Sequence, residues 1–309
     1  MSGFEGITGH ERPKRVLERA LRSGRVPHAY LFWGPDGIGK ELTARAAAKV
    51  LLCRDPGAMK NAAFCGRCDG CRKIEAGSHP DLHLLAPGEK AISVDEVRKL
   101  LEALSYQAFE RGRKIVIIRD VFRMSREGAN ALLKTVEEPP EETFLFLLAH
   151  HRSQLIPTLV SRCQPLRFDP LPEGAVEALL SERGIKPEAA KRMAALSGGS
   201  PGAALAEDPE TLVKLDEEAE VVAGNLERMT PIERLETSEK WSKDKENLGL
   251  RLDCLERNLH ARAKTDENAL QSLERLFAVR ALIDRNANLQ LALDALFLMA
   301  GKEGWEVTI

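Results

Sequence analysis

Ala29-Tyr-Leu-Phe-Trp33, Gly34-Pro-Asp-Gly-Ile-Gly39-Lys40 and Glu41-Leu-Thr-Ala-Arg-Ala-Ala-Ala-Lys-Val-Leu-Leu52 stand consecutively in the chain. The first is a short apolar and aromatic run of the kind that forms a buried strand; the last is an alanine-rich stretch of helix formers. Between them, Gly34, Gly37 and Gly39 let the backbone approach a ligand closely. The free amides of a helix N-terminus then attract anions, and Lys40 is placed to neutralise phosphate oxygens. Strand, glycine spacing, lysine and helix together read as a phosphate loop rather than a chance glycine-rich turn.

Further strands are expected at Asp81–Leu85, Lys114–Ile118 and Thr143–Leu148, with a shorter one near Leu166–Phe168. Helical stretches alternate with them, which is the pattern of a parallel α/β sheet. Ser93-Val-Asp-Glu96 is a capping box flanked by Ile92 and Val97, where a hydrophobic staple belongs. Val97, Leu100, Leu101 and Leu104 follow at helical spacing and should face the core. Another helix, Ser125–Glu138, must stop before Pro139-Pro140. Beyond Pro170-Leu-Pro172 strand patterns vanish. The expected organisation is an α/β domain over 1–170 with an insertion at 53–72, a small helical lid over 171–207, and an all-helical domain over 208–309 ending in a helix at Asn286–Ala300.

The residue after Lys40 argues against catalysis. A working phosphate loop has Ser or Thr there, whose hydroxyl binds Mg²⁺. Glu41 cannot replace that geometry, and its charge repels phosphate. The strand Ile115–Ile118 should lead into a metal-binding aspartate and a water-activating glutamate, but Arg119-Asp120 follows it. In one register Arg119 takes the aspartate position and Asp120 the glutamate position. In the other, Asp120 is the metal ligand and Val121 replaces the base. Either way a required group is lost, and no productive Mg-ATP site is expected.

The chain has six cysteines, four of them at Cys53, Cys65, Cys68 and Cys71. Four clustered thiolates suffice for a closed, structural tetrahedral Zn²⁺ site. The short spacing also permits iron–sulfur ligation, disulfides or free thiols. Cys163 and Cys254 stand apart and read as buried small hydrophobes. His79 and His83 read as packing residues. Trp33 reads as packed between sheet and helix, with stacking on a nucleobase as the alternative.

Lys and Arg number 45 against 47 Asp and Glu, a net charge of −2, so a stand-alone polyanion-binding module is excluded. No apolar run is long enough to span a bilayer. The first twenty residues lack the apolar stretch of a signal peptide, so a cytoplasmic protein without membrane association is expected.

Several stretches resemble, in order, the delta-prime family of bacterial DNA polymerase III clamp-loader subunits. They are His28-Ala-Tyr-Leu-Phe, His79-Pro-Asp-Leu-His83, Ser93-Val-Asp-Glu-Val-Arg98, Asn130-Ala-Leu-Leu-Lys-Thr-Val-Glu-Glu-Pro-Pro140, Ser161-Arg-Cys163, Ser197-Gly-Gly-Ser-Pro-Gly202 and Asn286–Leu293. The resemblance implies an AAA+ domain with lid and helical collar, in a five-subunit loader that places a sliding clamp on primer-template DNA. Its implied partners are the gamma or tau ATPase subunits and delta. It implies that Arg162 is an arginine finger acting in trans on a neighbour's nucleotide, and that the cysteine insertion holds zinc. Ala149-His150-His151 and Gly202 replace groups that contact nucleotide in the ATPase relatives. The expected chain is thus no ATPase itself but part of a DNA-polymerase assembly; the alternative is a divergent, active gamma/tau-like ATPase.

Overall fold

The structure, a computed structural model, describes residues 3–88, 90–110, 112–284 and 287–299. The contacts divide the chain into two compact units, Met1–Leu179 with Gly198–Ala203, and Leu180–Ser197 with Ala204–Ile309.

The first unit is built on five strands, β1 (Ala29–Trp33), β2 (Leu82–Leu85), β3 (Lys114–Ile118), β4 (Thr143–Ala149) and β5 (Gln164–Arg167). Every pairing is parallel and the order is β2-β3-β4-β1-β5. Its helices are α1 (Glu11–Ser23), α2 (Lys40–Leu52), α3 (Ala58–Asn61), α4 (Asp69–Glu75), α5 (Val94–Ser105), α6 (Arg126–Glu137) and α7 (Pro157–Val160). Strand β3 is buried along its whole length and β1 except at its last residue, as expected for central strands covered on both faces. Because the strands are parallel, the segments after β1, β3 and β4 emerge at one edge, where ligands bind in such sheets.

Ser93 and Glu96 form the expected capping box, and Ile92 and Val97 are fully buried together. Helix α5 buries Val97, Leu100 and Leu104, whereas Leu101 is only partly covered, lying at the margin of the apolar stripe. Asp81 belongs to no strand. Its buried carboxylate accepts the amides of Phe109 and Glu110 at 2.7 and 2.9 Å, while its carbonyl accepts the Ile115 amide of β3 at 2.8 Å. Strand β5 begins earlier than Leu166–Phe168. Phe168 lies beyond it, its carbonyl oxygen against the space where a Gly34 side chain would stand.

Helices α8 (Glu173–Glu182), α9 (Pro187–Leu196) and α10 (Pro201–Ala206) follow, then α11 (Pro209–Asn225), α12 (Pro231–Lys243), α13 (Leu248–Arg262), α14 (Glu267–Asp284) and α15 (Leu289–Leu298). The 171–207 stretch is shared between the units: α9 belongs to the second, and the turn Ser197–Gly202 mostly to the first. Within the second unit, fully buried Asp216 on α11 accepts Arg192 of α9 at 2.9 Å and Arg257 of α13 at 2.5 Å. An unpaired carboxylate there would be costly, so these partners fix how the three helices meet. Trp241, Leu255, Leu276, Leu293 and Phe297 centre that unit's apolar core. Helix α15 is capped by Asn288, whose side chain accepts the Leu291 amide; Asn286 and Ala300, the expected helix limits, lie outside the described residues.

Candidate functional site

The phosphate loop leaves β1 and enters α2 through three glycines at positive φ, Gly34 (151°), Gly37 (65°) and Gly39 (106°). A side chain at Gly34 would lie 2.1 Å from the Phe168 carbonyl oxygen, so only glycine fits. The loop is fastened from two sides. His10 Nε2 lies 2.7 Å from the Ile38 carbonyl, with its ring against Phe168. The Ser200 hydroxyl donates to the Asp36 carbonyl at 2.5 Å, and the Gly202 amide donates to the Gly37 carbonyl at 2.9 Å. A Cβ on Gly202 would stand 2.5 Å from Gly37 Cα, so no side chain, least of all an arginine, fits there without moving the loop.

Lys40 is buried and turned onto its own loop, donating to the Gly34 and Pro35 carbonyls at 2.5 and 2.6 Å. Burial lowers its pKa, opposed by the nearby carboxylates of Asp36 and Asp120. A cavity of about 410 Å³ opens beside it, lined by Asp36, Lys40, Glu41, Arg119, Asp120 and Gly202 among others. Three of those side chains are carboxylates and two are cations.

The two departures from a catalytic motif meet there. Glu41 Oε2 lies 3.4 Å from Arg119 Nε, and Glu41 Oε1 accepts Arg45 Nε at 2.7 Å. Both carboxylate oxygens are therefore engaged by guanidinium groups at the start of α2. Arg119, directly after β3, brings a guanidinium to the edge of this cavity. Asp120 adopts a left-handed backbone (φ 45°), and its carboxylate lies 3.6 Å from His150 Nε2. His150, following β4, also reaches Asp36 Oδ2 at 2.9 Å and stands edge-on to Phe122. The pairings of His10 with Ile38, Ser200 with Asp36 and His150 with Asp36 and Asp120 carried no signal in the sequence, because the partners are far apart along the chain. Arg45 stands one helical turn from Glu41 on α2.

Arg162 stands elsewhere in the same unit, after α7 and before β5. Leu159 and Cys163 on either side are buried in the sheet core, and burial pushes the Cys163 thiol up to about 12. Its side chain remains 37% exposed. Nε pairs with Glu137 Oε1 at 2.7 Å, and Nη1 donates to the Thr158 carbonyl at 2.9 Å.

The four cysteines converge in a small cluster with Ala58 and Phe64. Their sulfurs all lie within 4.8 Å of one another, and those of Cys53 and Cys68 are 4.0 Å apart. A tetrahedral Zn²⁺ with Zn–S of about 2.3 Å sets its ligands about 3.8 Å apart, so the donor set fits. Backbone amides point at the sulfurs: Arg54 and Cys71 donate to Cys68 Sγ, Asp55 and Cys65 to Cys53 Sγ, and Cys68 to Cys65 Sγ. Burial raises the Cys68 thiol, but the amides of Arg54 and Cys71 and the neighbouring Cys71 and Cys65 thiols together outweigh it and hold it at about 6. Burial drives Cys53 and Cys71 upward. Glu110 joins this module to the sheet through Lys73 and through Arg54 at 3.0 Å. His79 is buried, its Nδ1 accepting the Asp81 amide at 3.1 Å; neither it nor His83 joins the cysteine sulfurs. Trp33 packs on the sheet core with the Arg167 guanidinium 5.2 Å over its ring.

An all-parallel sheet ordered β2-β3-β4-β1-β5, with a phosphate loop after β1 and an acidic-motif position after β3, defines a P-loop domain of the AAA+ kind. The family model described as "DNA polymerase III, delta subunit" matches residues 9–172. The delta-prime subunit of Pseudomonas aeruginosa is 43% identical over 179 residues, 56% of this chain and 53% of that protein. That of Escherichia coli is 40% identical over 193 residues, 62% of this chain and 57% of its own. The tau subunit of Escherichia coli is 38% identical over 205 residues, 64% of this chain and 31% of tau. The chain belongs to the DNA polymerase III delta-prime family. It spans little more than half the length of the delta-prime relatives it matches. A solved gamma-subunit-related protein of Thermotoga maritima aligns over 92% of this chain and 98% of its own at 20% identity, but its TM-score of 0.46 adds nothing to the assignment.

Proposed function

We propose that the chain is a non-hydrolysing delta-prime subunit of a replicative clamp loader that supplies Arg162 in trans to the nucleotide of a neighbouring ATPase subunit. The observation that carries this reading is the Glu41–Arg119 pair, two departures from a working site that meet at 3.4 Å. Magnesium bound at Glu41 would have to displace a guanidinium, and the nucleotide phosphates would share the cavity with three carboxylates that repel them. Lys40, the one intact catalytic-type residue, is already spent on the carbonyls of its own loop.

Arg162 supports the activating half of the proposal. Phosphoryl transfer needs a fixed cation on the developing charge of the γ-phosphate, and a guanidinium offers several donors in one plane. An exposed arginine next to buried Cys163, with buried Leu159 one turn earlier, presents its guanidinium from a packed backbone. The partners in this reading are gamma or tau and delta, with the sliding clamp and primer-template DNA engaged through the assembly. The 171–207 and 208–309 segments would serve as lid and collar. The setting would be cytoplasmic; no helix among the described residues is long and apolar enough to cross a membrane.

The cysteine module would hold one structural Zn²⁺ through Cys53, Cys65, Cys68 and Cys71, with no open ligand position. The ion would supply crosslinking of a short polar insertion, and the amides around the sulfurs would favour the thiolate forms.

The rival reading, an active gamma/tau-like ATPase, draws on the retained Lys40 and the similarity to tau. A reconstituted loader separates the two. With Arg162→Ala, DNA- and clamp-stimulated hydrolysis should fall while the purified wild-type chain alone turns over no ATP. Unchanged loader turnover would refute the finger, and turnover by the isolated chain would refute the inactive site.

A further inference from the structure

Arg162 does not stand free. Its Nε lies 2.7 Å from Glu137 Oε1, across 25 residues of sequence, and its Nη1 is tied to the Thr158 carbonyl at 2.9 Å. We infer that Glu137 is the positioning residue of this arginine, orienting the guanidinium before a nucleotide-bearing neighbour docks. The inference rests on the reading of Arg162 as a trans-acting finger.

The pair is too exposed to matter much for stability. The side chains are 37% and 44% exposed, and ion pairs in such exposed settings contribute little to stability. Its consequence lies in geometry. The backbone on both sides is immobilised: Val136, next to Glu137, and Leu159 and Cys163, flanking Arg162, are buried in one core. The end of α6 is also pinned from below, because His28 Nε2 lies 2.8 Å from the Val136 carbonyl. A carboxylate carried on a buried backbone narrows the directions open to an otherwise flexible arginine. A free arginine carries large rotamer entropy that must be lost when it meets a phosphate. Holding the guanidinium by the Glu137 carboxylate and the Thr158 carbonyl removes part of that loss in advance, while the exposed remainder keeps donors for an anion.

The two ties differ in what mutation can reach. The Thr158 contact comes from the backbone and survives any side-chain change, whereas the Glu137 contact does not. The expected effect of removing Glu137 is therefore partial: an arginine still present and still charged, but aimed over a wider range.

The experiment uses the complete reconstituted loader and measures stimulated ATP hydrolysis as kcat and KM. The variants are Glu137→Ala, Glu137→Gln, Arg162→Ala and the double alanine variant, with assembly checked by gel filtration. Loss of orientation predicts that Glu137→Ala lowers kcat by roughly tenfold with KM for ATP unchanged. Glu137→Gln, which keeps an acceptor oxygen, should recover most of it. The double variant should be no slower than Arg162→Ala alone, because Glu137 acts only through the arginine. Three results would overturn the inference: unchanged or faster turnover in Glu137→Ala, a loss that multiplies with that of Arg162→Ala, or failure of Glu137→Ala to assemble. An Arg162→Ala loader with normal turnover is a separate failure, that of the finger itself.

Discussion

Among the arginine–glutamate pairs of the sheet domain, two would have opposite consequences in the proposed reading. Arg119 and Glu41 meet at 3.4 Å inside the cavity of the phosphate loop; Arg162 and Glu137 meet at 2.7 Å beside a short helix preceding an edge strand. The chemistry of the partners is the same, and so is their partial exposure. What differs is the place each carboxylate occupies. Glu41 follows the loop lysine and is further held by Arg45, so in the proposed reading this pair would keep magnesium out. Glu137 lies outside that cavity, and in the proposed reading its pair would aim the Arg162 cation toward a neighbouring subunit. An ion pair is therefore no indicator of role until its position relative to a substrate is known.

The comparison breaks most readily at Arg162. Arg162→Ala should reduce single-turnover hydrolysis at the site it serves by roughly 10³-fold, the scale on which an arginine finger acts. A loss confined to nucleotide affinity would instead mean that the arginine only binds.

The zinc module tests whether the two pairs are local devices. One zinc per chain is expected by elemental analysis, and Cys65→Ser with Cys68→Ser should release it and lower the melting temperature. Structural zinc contributes to folding on the order of 10 kcal/mol in small peptides; here the α/β core should limit the damage to the insertion. Wild-type chain purified without chelator and found metal-free would contradict the site.

The closed pair can be sharpened by reopening it. Glu41→Thr combined with Arg119→Asp should restore measurable Mg-nucleotide binding, a gain of at least roughly tenfold, since one site-directed charge pair is worth more than a kilocalorie when it faces a phosphate. Each single substitution should gain less, because it strands the opposite charge. Equal affinity in the double variant and the wild type would show that the loop itself, fastened by Ser200 and Gly202, bars the ligand.

The smallest expected effect is on pH dependence. Burial lowers the pKa of His10, His79 and His83 below the ordinary value of 6.5. Folding then favours their neutral forms. The associated stability is fully present above about pH 6.5 and is lost as pH falls through the folded values. Thermal melts at pH 7.5 and 5.5 should differ by more in the wild type than in His10→Gln, whose ring otherwise supports the phosphate loop through Ile38.

The fold was largely legible because apolar runs bounded by Gly and Pro mark buried parallel strands; β1 and β3 fall where the pattern places them. β5 was displaced because three of its four residues are exposed, so no alternation announces its start. The phosphate loop, Glu41, Arg119 and the cysteines were readable by type and spacing. Their partners were not. His150 meets Asp36 only because β4 lies beside β1, and Glu137 meets Arg162 only because α6 and α7 share a core. Sequence spacing identifies the departures, whereas strand order determines which of them touch.

The central claim is tested most directly by calorimetric titration of the purified chain with ATP and Mg²⁺, with turnover assayed on the same sample. The account predicts neither magnesium-dependent binding nor hydrolysis. Tight binding with turnover would mean that the Glu41–Arg119 pair yields to the metal, and the chain would have to be placed among the ATPases.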